Sequence, residues 1–361
     1  MRKRDKNILF TPFLIQWHIT ERCNWNCLHC YRKRNSCVDL PLSDLKYILH
    51  QCLGLLEVLD VKDVRINIGG GEPFLREDIW DFIKILKKYK EIKLYIMTNG
   101  SLISKDVART LSKIKTLKGV QVSMEGLKET NDKIRGKGSF EKIERAIRTL
   151  VKYNIFTRVS VTLTKLNLEE IEPLVSYLKE LGVNNVGIRR FVPVGKGEIL
   201  KKYMLSPLET RDFYLFREEL MDKYCDKNFT ISYGCEDGLL VQEVEKISKK
   251  RRKYLYYTNC AVLRRRALTI LDNGDILLCR RLPIKIGNVF EKNLEEIFFF
   301  STLAQKMSNW RNFLSYCEDC PFFSYCLGGA RCIAYGFFKK IDAPDPQCWR
   351  LFTVLPNSGI I

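Results

Sequence analysis

The sequence predicts an α/β fold: a partial (β/α)6 barrel of parallel strands with a smaller cysteine-rich C-terminal domain. Between residues 13 and 190, six short apolar runs alternate with five amphipathic segments, which is typical of parallel β/α units. Right-handed crossovers curl such a sheet into a barrel or part of one. The alternation stops after Pro193, and cysteines accumulate from Cys260 onward. We therefore expect a barrel at residues 10–205, a bridging segment at 206–255 and a cysteine-rich domain at 256–361.

The individual elements follow from these patterns. Strands are expected at 13–19, 64–68, 93–97, 119–123, 157–163 and 185–190. Helices are expected near 43–58, 77–89, 104–115, 139–153, 168–181 and 207–224. Ser104 and Ser139 have the side chain that caps a helix N-terminus. Because the loops that follow parallel strands gather at one end of a barrel, we expect the functional residues there.

The composition narrows the class of protein. Apolar residues make up 46% of the 361 residues and charged residues 29%, which is normal for a globular protein in water. No apolar run approaches the length of a membrane span. The basic N-terminus lacks a signal-peptide cleavage site and leads straight into the first strand, so we expect a cytoplasmic protein. The net charge of +19 favours anionic partners, but it does not by itself indicate nucleic acid.

Fourteen cysteines are many for a protein of a reducing compartment, where disulfides are rare. Most of them cluster, which favours metal or iron–sulfur ligation. One group lies near the start and the other near the C-terminus; their members are Cys23, Cys27 and Cys30, then Cys260, Cys279, Cys317, Cys320, Cys326, Cys332 and Cys348. Cys37, Cys52, Cys225 and Cys235 are scattered, and we interpret them as small core residues.

The N-terminal group has the spacing Cys23-x3-Cys27-x2-Cys30 and follows the first strand directly. Three thiolates this close can hold three irons of a [4Fe–4S] cube and leave the fourth iron open to another ligand. A zinc site needs a fourth protein ligand, which His29 or His18 could supply, so the spacing alone leaves zinc open.

A glycine-rich turn, Gly69-Gly70-Gly71-Glu72-Pro73, follows the second strand. Consecutive glycines let the backbone approach a ligand closely, and Glu72 could lie near a cationic amine. A tight turn in which Pro73 begins a helix explains the same residues. The turn alone does not decide between these two interpretations.

Taken together, these motifs closely resemble the radical S-adenosylmethionine superfamily. The three-cysteine spacing, the Gly-Gly-Glu-Pro turn, Thr98-Asn99-Gly100, Ser123-Met124-Glu125-Gly126 and the segment 131–140 occur in the family's order. Several ordered motifs are more specific than any one of them. The resemblance covers roughly residues 10–200. Glu125 stands where the family often has an aspartate, and we assign no role to its side chain.

The resemblance implies a cofactor and a set of site residues. Cys23, Cys27 and Cys30 would be catalytic and ligate a cluster whose open iron binds the methionyl group of S-adenosylmethionine. Gly70, Gly71 and Glu72 would meet its amino group, and Ser123 and Arg135 would approach its carboxylate or ribose. In the family, an electron from an external donor such as ferredoxin or flavodoxin cleaves the cofactor. The resulting 5′-deoxyadenosyl radical abstracts hydrogen from the substrate.

The C-terminal cysteines outnumber the ligands of one cube, and seven thiolates could hold two clusters. Zinc could use four of them, since Cys317-x2-Cys320 resembles half of a zinc ribbon. The spacing also resembles the SPASM extension of the same superfamily, which implies one or two auxiliary [4Fe–4S] clusters. On that basis, an outer cluster would use Cys317, Cys320, Cys326 and Cys348, and an inner one Cys260, Cys279 and Cys332. The extension usually has three residues where five separate Cys326 from Cys332.

Enzymes with this extension often modify ribosomally made peptides or proteins, which is our first expectation for the substrate. The catalytic motif begins at Cys23, so a separate docking protein would deliver a peptide. An alternative is side-chain processing of a tetrapyrrole, whose carboxylates Arg189 and Arg190 could bind. Ordinary charges at the barrel mouth explain both arginines without a substrate, and the sequence slightly favours this explanation. Arg280 stands where sulfatase-maturing relatives carry an acid, which argues against formylglycine formation.

An interpretation of another class is a zinc-stabilised, nucleic-acid-binding protein without catalysis. Basic charge and cysteines would fit it, but it gives the glycine turn and the ordered β/α motifs no role. We expect neither a nucleic-acid nor a membrane partner.

Overall fold

The computed structural model describes residues 12–32, 38–255, 260–309 and 314–354. In this part of the chain, ten strands form one sheet. They are β1 (Phe13–Thr20), β2 (Val64–Gly70), β3 (Ile92–Thr98), β4 (Leu117–Ser123), β5 (Thr157–Leu163), β6 (Asn185–Arg190), β7 (Thr230–Ser232), β8 (Ala267–Ile270), β9 (Asp275–Cys279) and β10 (Leu282–Asn288). The sheet order is β10-β9-β8-β1-β2-β3-β4-β5-β6-β7.

Among the described residues, eight α-helices lie between successive strands from β1 to β8, and five follow β10. They are α1 (Leu42–Val58), α2 (Ile79–Leu86), α3 (Lys105–Ser112), α4 (Lys128–Arg135), α5 (Ser139–Lys152), α6 (Ile171–Glu180), α7 (Pro207–Tyr224), α8 (Lys249–Leu255), α9 (Leu294–Phe300), α10 (Thr302–Ser308), α11 (Phe323–Cys326), α12 (Arg331–Phe338) and α13 (Trp349–Val354). Among the described residues, none of these helices is both long enough and apolar enough to cross a bilayer.

Strands β1 to β7 pair in parallel, which confirms the partial barrel. The six expected strands lie within two residues of their predicted bounds. β7 and the three C-terminal strands were not predicted. β8 pairs in parallel with β1, Leu14 opposite Ala267 and Trp17 opposite Ile270, so residues of the cysteine-rich region extend the sheet of the barrel. β7 and β8 have three and four residues, too few for a readable periodicity.

The two faces of the sheet differ in polarity. Ile15, Trp17 and Ile19 are fully buried in the core, and the Trp17 ring lies 5.0 Å from that of Phe82 on α2. The opposite, inward face carries polar side chains at alternate positions; Gln16, Asn67, Gln121 and Ser160 line an internal cavity. Strands of a parallel sheet are usually apolar on both faces, so a polar inner face indicates a ligand cavity.

The helix starts are mostly as predicted. The Ser104 hydroxyl accepts a hydrogen bond from the Val107 N–H at 3.2 Å and caps α3. Ser139 is not a cap: it is the first residue of α5, and Gly138 precedes it with φ 73°. The Ser139 hydroxyl instead donates to Asp132 at 3.0 Å. An aspartate seven residues upstream, in α4, therefore competes successfully for this hydroxyl.

A buried ion pair joins the barrel to the C-terminal region. Arg190, at the end of β6, donates to both carboxylate oxygens of Asp345 at 3.0 and 2.9 Å. Both side chains are almost fully buried, and Gln347 accepts a further bond from Arg190 at 3.0 Å. This pair fixes the segment that carries Cys348. The hypothesis that Arg190 binds a substrate carboxylate is therefore wrong, because Asp345 occupies it.

Replacing Arg190 with Met should destabilise the fold, because it leaves the Asp345 carboxylate buried without a cation. We expect the free energy of unfolding to fall by roughly 3–5 kcal/mol, measured by urea denaturation of anaerobically purified protein. Lys84→Met is the matched control, because Lys84 pairs with Asp81 at the surface and such pairs contribute at most about 1 kcal/mol. Equal losses in the two variants would contradict the proposed role of the buried pair.

Candidate active site

A cavity of about 200 Å³ lies at the C-terminal ends of the first barrel strands. Among its lining residues are the predicted site residues Cys23, Cys27, Cys30, Gly70, Gly71, Ser123 and Arg135. The structure therefore brings together residues that are up to 112 positions apart in the chain (23 to 135). Glu72 is the predicted site residue of this group that does not line the cavity.

The three-cysteine loop follows β1, and side-chain N–H groups lie close to two of its sulfur atoms. The Asn99 amide lies 3.8 Å from Cys23 Sγ, and Arg135 Nη1 lies 3.9 Å from Cys27 Sγ. Burial raises the pKa of Cys27, so its thiol is protonated until a metal replaces the proton. N–H donors beside the sulfurs stabilise thiolates, and this donor set fits an iron–sulfur cluster.

Zinc would need an imidazole as its fourth ligand, and both candidate imidazoles have other partners. His29 Nε2 lies 3.2 Å from the Glu125 carboxylate. His18 Nε2 lies 3.2 Å from the Tyr31 hydroxyl. Nδ1 of each ring has no hydrogen-bond partner among the described residues, so these contacts leave the choice between zinc and iron to the family that the motifs define.

The glycines of the turn allow a close approach to β1 and to the cysteine loop. A Cβ atom on Gly70 would lie 2.3 Å from the Thr20 carbonyl oxygen, and one on Gly71 only 2.0 Å from that of Arg22. The Gly71 and Glu72 N–H groups donate to these same two carbonyls at 2.8 Å. Any side chain at either position would push the turn away from the cysteines.

Glu72 lies beneath the floor of the cavity and is fully buried. Its carboxylate accepts hydrogen bonds from the Thr98 hydroxyl and the Asn99 N–H at 2.8 Å each. Burial raises its pKa to about 7, although hydrogen bonds from Asn99, Thr98 and Phe74 oppose the rise. In this structure Glu72 positions Asn99, whose amide in turn meets Cys23.

Glu125 is a site residue that the sequence analysis missed. Its carboxylate is 1% exposed and binds Arg135 through Nε at 3.1 Å and His29 at 3.2 Å. It also accepts the Thr162 N–H at 2.6 Å. Burial opposes its ionisation, but Arg135 and His29 outweigh that effect and lower its pKa to about 2. Glu125 therefore stays ionised and holds Arg135 beside Cys27.

A second cavity of about 210 Å³ continues the first into the barrel. The two share lining residues Gln16, Met97, Gln121, Ser160, Arg189, Arg280 and Arg281. Six arginines line the second cavity: Arg65, Arg158, Arg189, Arg280, Arg281 and Arg331. Among its described lining residues Glu236 is the only acid, and it pairs with Arg281 at 2.9 Å. The cavity therefore has a large excess of positive charge.

The arginines repel one another in this cavity. Burial lowers the pKa of Arg158 well below its ordinary value, and the charges of Arg189, Arg65 and Arg280 lower it further. Within the described residues, Arg158 Nε and Arg189 Nη1 have no hydrogen-bond partner. Buried polar groups are normally hydrogen-bonded, so these N–H groups indicate the place of an anionic ligand. The sequence carried a signal for this polar inner face of the sheet. Polar residues alternate with apolar ones in Arg65-Ile66-Asn67-Ile68 of β2, and this alternation predicts one polar and one apolar face.

The C-terminal cysteines form two sets. Cys260, Cys279 and Cys332 line the second cavity together. Cys317, Cys320, Cys326 and Cys348 form the other set: burial raises the pKa of Cys326 to about 12, and the other three thiols add to the rise. No group of three His, Cys, Asp or Glu side chains among the described residues is placed to hold a single metal ion. In a cube each thiolate binds a different iron, so its ligands spread around a cluster.

The four scattered cysteines have different surroundings. Cys52 is fully buried in the core, as predicted, and Cys225 is half-buried. The interpretation of Cys235 as a core residue is wrong, because the residue is exposed and lines the second cavity. Cys37 lies outside the described residues.

Comparisons with known proteins agree with this geometry. Residues 17–178 match the family model of the radical SAM superfamily, and residues 260–321 match the SPASM iron–sulfur cluster-binding domain. The chain is 26% identical to the AdoMet-dependent heme synthase of Methanosarcina barkeri, over 93% of this chain and 96% of that protein. It is 27% identical to the mycofactocin maturase MftC of Mycolicibacterium smegmatis, over 94% of this chain and 83% of that protein. Streptococcus suis SuiB bound to its precursor peptide SuiA has a similar fold, with a TM-score of 0.73, 22% identity and coverage of 95% of this chain and 76% of that one.

The chain is therefore an enzyme of the radical SAM superfamily. It carries the SPASM extension and, with it, uses S-adenosylmethionine, a [4Fe–4S] cluster and auxiliary iron–sulfur clusters. The interpretation as a non-catalytic, zinc-stabilised protein is wrong, because both ordered domains match those of cluster-dependent enzymes.

The buried carboxyl of Glu72 should make stability depend on pH near neutrality. Its pKa is about 7 in the folded chain against an ordinary 4.5. Its contribution to stability is therefore complete below pH 4.5 and is lost as the pH rises through 7. The variant Glu72→Gln stays neutral, so the native protein should lose stability relative to it between about pH 5 and about pH 8.

The measurement is the difference in unfolding free energy between the two anaerobically purified proteins across that pH range. Glu57→Gln, a substitution of an exposed carboxylate on α1, should show no such trend. A difference that is flat with pH for Glu72→Gln as well would show that Glu72 does not titrate there.

Proposed function

We propose that this enzyme abstracts a hydrogen atom from a substrate that carries several carboxylates, and that a tetrapyrrole with propionate side chains fits best. The observation that carries the proposal is the cluster of arginines with unpartnered N–H groups in the second cavity. From the sequence we expected a peptide substrate first and a tetrapyrrole as the alternative. The arginine cluster reverses the order of these two candidates.

In this proposal, Cys23, Cys27 and Cys30 hold the catalytic cluster. The backbone of Gly70 and Gly71 lines the place of the methionyl amine, and Ser123 and Arg135 lie near its carboxylate or the ribose. When bound, the cluster and S-adenosylmethionine supply the 5′-deoxyadenosyl radical. The residues of the chain orient the substrate beside it and exclude water. Glu125 keeps Arg135 charged and in place, and Glu72 keeps Asn99 in place.

The auxiliary sites follow from the two C-terminal sets. Cys317, Cys320, Cys326 and Cys348 would hold the outer cluster, and Cys260, Cys279 and Cys332 the inner one. Because the inner set lines the same cavity as the arginines, a substrate bound there would lie between the catalytic and inner clusters. Ferredoxin or flavodoxin is the class of protein that we propose as electron donor.

Arginine is suited to a carboxylate because its planar N–H groups can bind both oxygens at once. Arg158 on β5 and Arg65 on β2 lie on opposite sides of β3 and β4 in the sheet order, and both line the cavity. One carboxylate cannot neutralise six arginines. Four propionates spread around one rigid ring would supply anions on several sides of the cavity.

A peptide is the second candidate, favoured by the similarity to the maturase MftC. Acidic side chains or a terminal carboxylate would then occupy the arginines, and a separate docking protein would deliver the peptide. Formylglycine formation is not proposed. Arg280 stands at the position of the acid expected for it and donates to Gln16 at 2.7 Å.

The catalytic ligands can be tested with the triple variant Cys23→Ala/Cys27→Ala/Cys30→Ala. It should form no 5′-deoxyadenosine with dithionite and S-adenosylmethionine, and it should lose roughly four irons per chain while retaining the auxiliary iron. The core variant Cys52→Ala should keep both activity and iron. Formation of 5′-deoxyadenosine by the triple variant would overturn the assignment.

The substrate class can be tested with iron coproporphyrin III, which has four propionates, and its neutral tetramethyl ester. We expect the acid to bind, seen as a shift of its visible absorbance, and the ester not to bind. The double variant Arg65→Gln/Arg158→Gln should weaken binding at least about 10-fold, since a charge-assisted hydrogen bond contributes about 1.5–3 kcal/mol. It should leave substrate-free cofactor cleavage unchanged.

The matched control is Arg109→Gln/Arg148→Gln, which changes two exposed helix arginines and should not alter porphyrin binding. Equal binding of acid and ester would contradict the role of the arginines. Binding of neither would contradict the tetrapyrrole, and the peptide would become the first candidate.

A further inference from the structure

We propose that Cys235 is the fourth thiolate ligand of the inner auxiliary cluster, together with Cys260, Cys279 and Cys332. This inference rests on the inner ligand set of the proposed function and not on its substrate. The four cysteines come from four separate parts of the chain: the turn after β7, the segment before β8, the end of β9, and α12.

All four cysteines line one cavity. Cys235 lines the second cavity, as do Cys260, Cys279 and Cys332. Cys235 is exposed as a residue and also borders a separate cavity that contains Cys225. The charges of Cys260 and Cys279 act on Cys235, and those of the same two cysteines act on Cys332. Cys260 and Cys279 are thus neighbours of both other thiols.

The turn that carries Cys235 is held in place from below. Asp237 is fully buried; it accepts the Gly234 N–H at 2.6 Å and pairs with the buried Arg217 at 2.7 Å. Glu236, which directly follows Cys235, pairs with Arg281 at 2.9 Å. A fixed backbone on both sides of Cys235 suits a metal ligand, whose position has to be defined before the cluster binds.

One cation and one carboxylate lie beside the Cys235 thiol. Arg281 Nη2 lies 3.9 Å from Cys235 Sγ, and its positive charge also acts on Cys279 and Cys332. The Cys235 thiol lies 3.5 Å from the Glu236 carboxylate and can donate its proton to it. Iron ligation would remove that proton and leave Arg281 to offset the added negative charge.

The shifted position of Cys332 supports a rearranged ligand set. The usual spacing would put the sixth cysteine of the extension where Ala330 stands, and Ala330 lines the same cavity. Cys332 lies two residues further on, within the first turn of α12. Three thiolates would leave one iron of the cube open. Cys235 would bind that open iron. It lies outside residues 260–321, the part of the chain that matches the extension.

The test uses full-length protein that carries the triple Cys23→Ala/Cys27→Ala/Cys30→Ala change, so that only auxiliary clusters are present. Into this background we would introduce Cys235→Ala, Cys235→Ser or, as the matched control, Cys225→Ala. Cys225 is also a single cysteine outside the motifs, and it borders a cavity that Cys235 borders too, but it does not line the second cavity with Cys260, Cys279 and Cys332. The readouts are the iron content, the EPR spectrum of the reduced clusters, and the binding of carbon-13 cyanide seen as a hyperfine coupling.

We expect no cyanide coupling in the background protein or in Cys225→Ala. A coupling should appear in Cys235→Ala, because the variant opens one iron, while the iron content stays that of two auxiliary clusters. Cys235→Ser should shift the EPR signal without cyanide coupling, since its oxygen can still ligate. This second variant separates the loss of a ligand from the loss of the fold.

Cyanide coupling in the background protein itself would overturn the proposal, because the inner cluster would then already have an open iron. Identical EPR spectra for Cys235→Ala and Cys225→Ala would overturn it too. A measured content of only roughly four auxiliary irons per chain would show that the inner cluster does not exist. That result would leave the porphyrin binding of the proposed function unaffected. The two proposals can therefore fail separately.

Discussion

The hydrogen bonding of β1 on both edges is the constraint on which the site depends. β1 pairs in parallel with β2 on one side and with β8 on the other, so that Trp17 lies opposite both Ile68 and Ile270. Parallel strands end at the same edge of a sheet. The cysteine loop after β1, the glycine turn after β2 and the turn between β8 and β9 therefore share one end of the barrel, and β9 runs back antiparallel to β8 and carries Cys279 toward the other end. A slip in either register would separate the two groups of cysteines.

The positive charge on the inner face of the sheet is the second feature that determines the site. A parallel sheet normally buries apolar side chains on both faces, but here the inner face carries Arg65, Arg158 and Arg189. Their mutual repulsion and the cost of burying them lower stability unless an anion binds. Binding sites often tolerate such a cost because the ligand relieves it. The positive charge is thus best understood as part of recognition and not of folding.

The sequence predicted those parts of the site that depend on short spacing. The three-cysteine loop, the glycine turn and the six strands of the barrel are local patterns, and the structure places them as expected. The arginine cluster comes from three strands, one turn and one helix that are distant in the chain, and no local pattern joins Arg65 to Arg280. Glu125 was missed because it replaces an aspartate in the family pattern, although its longer side chain still reaches Arg135. Cys235 was taken for a core residue because it stands 25 positions before Cys260 and belongs to no motif.

The continuity of the two cavities has a consequence for how the enzyme meets oxygen. Arg189, Arg280 and Arg281 line both cavities, so they form the boundary between the catalytic end and the inner cysteine set. A ligand seated on these arginines would plug both openings at once. Small oxidants would then be kept from two metal centres by a single binding event, and the enzyme would be most vulnerable to air in the interval between one substrate and the next.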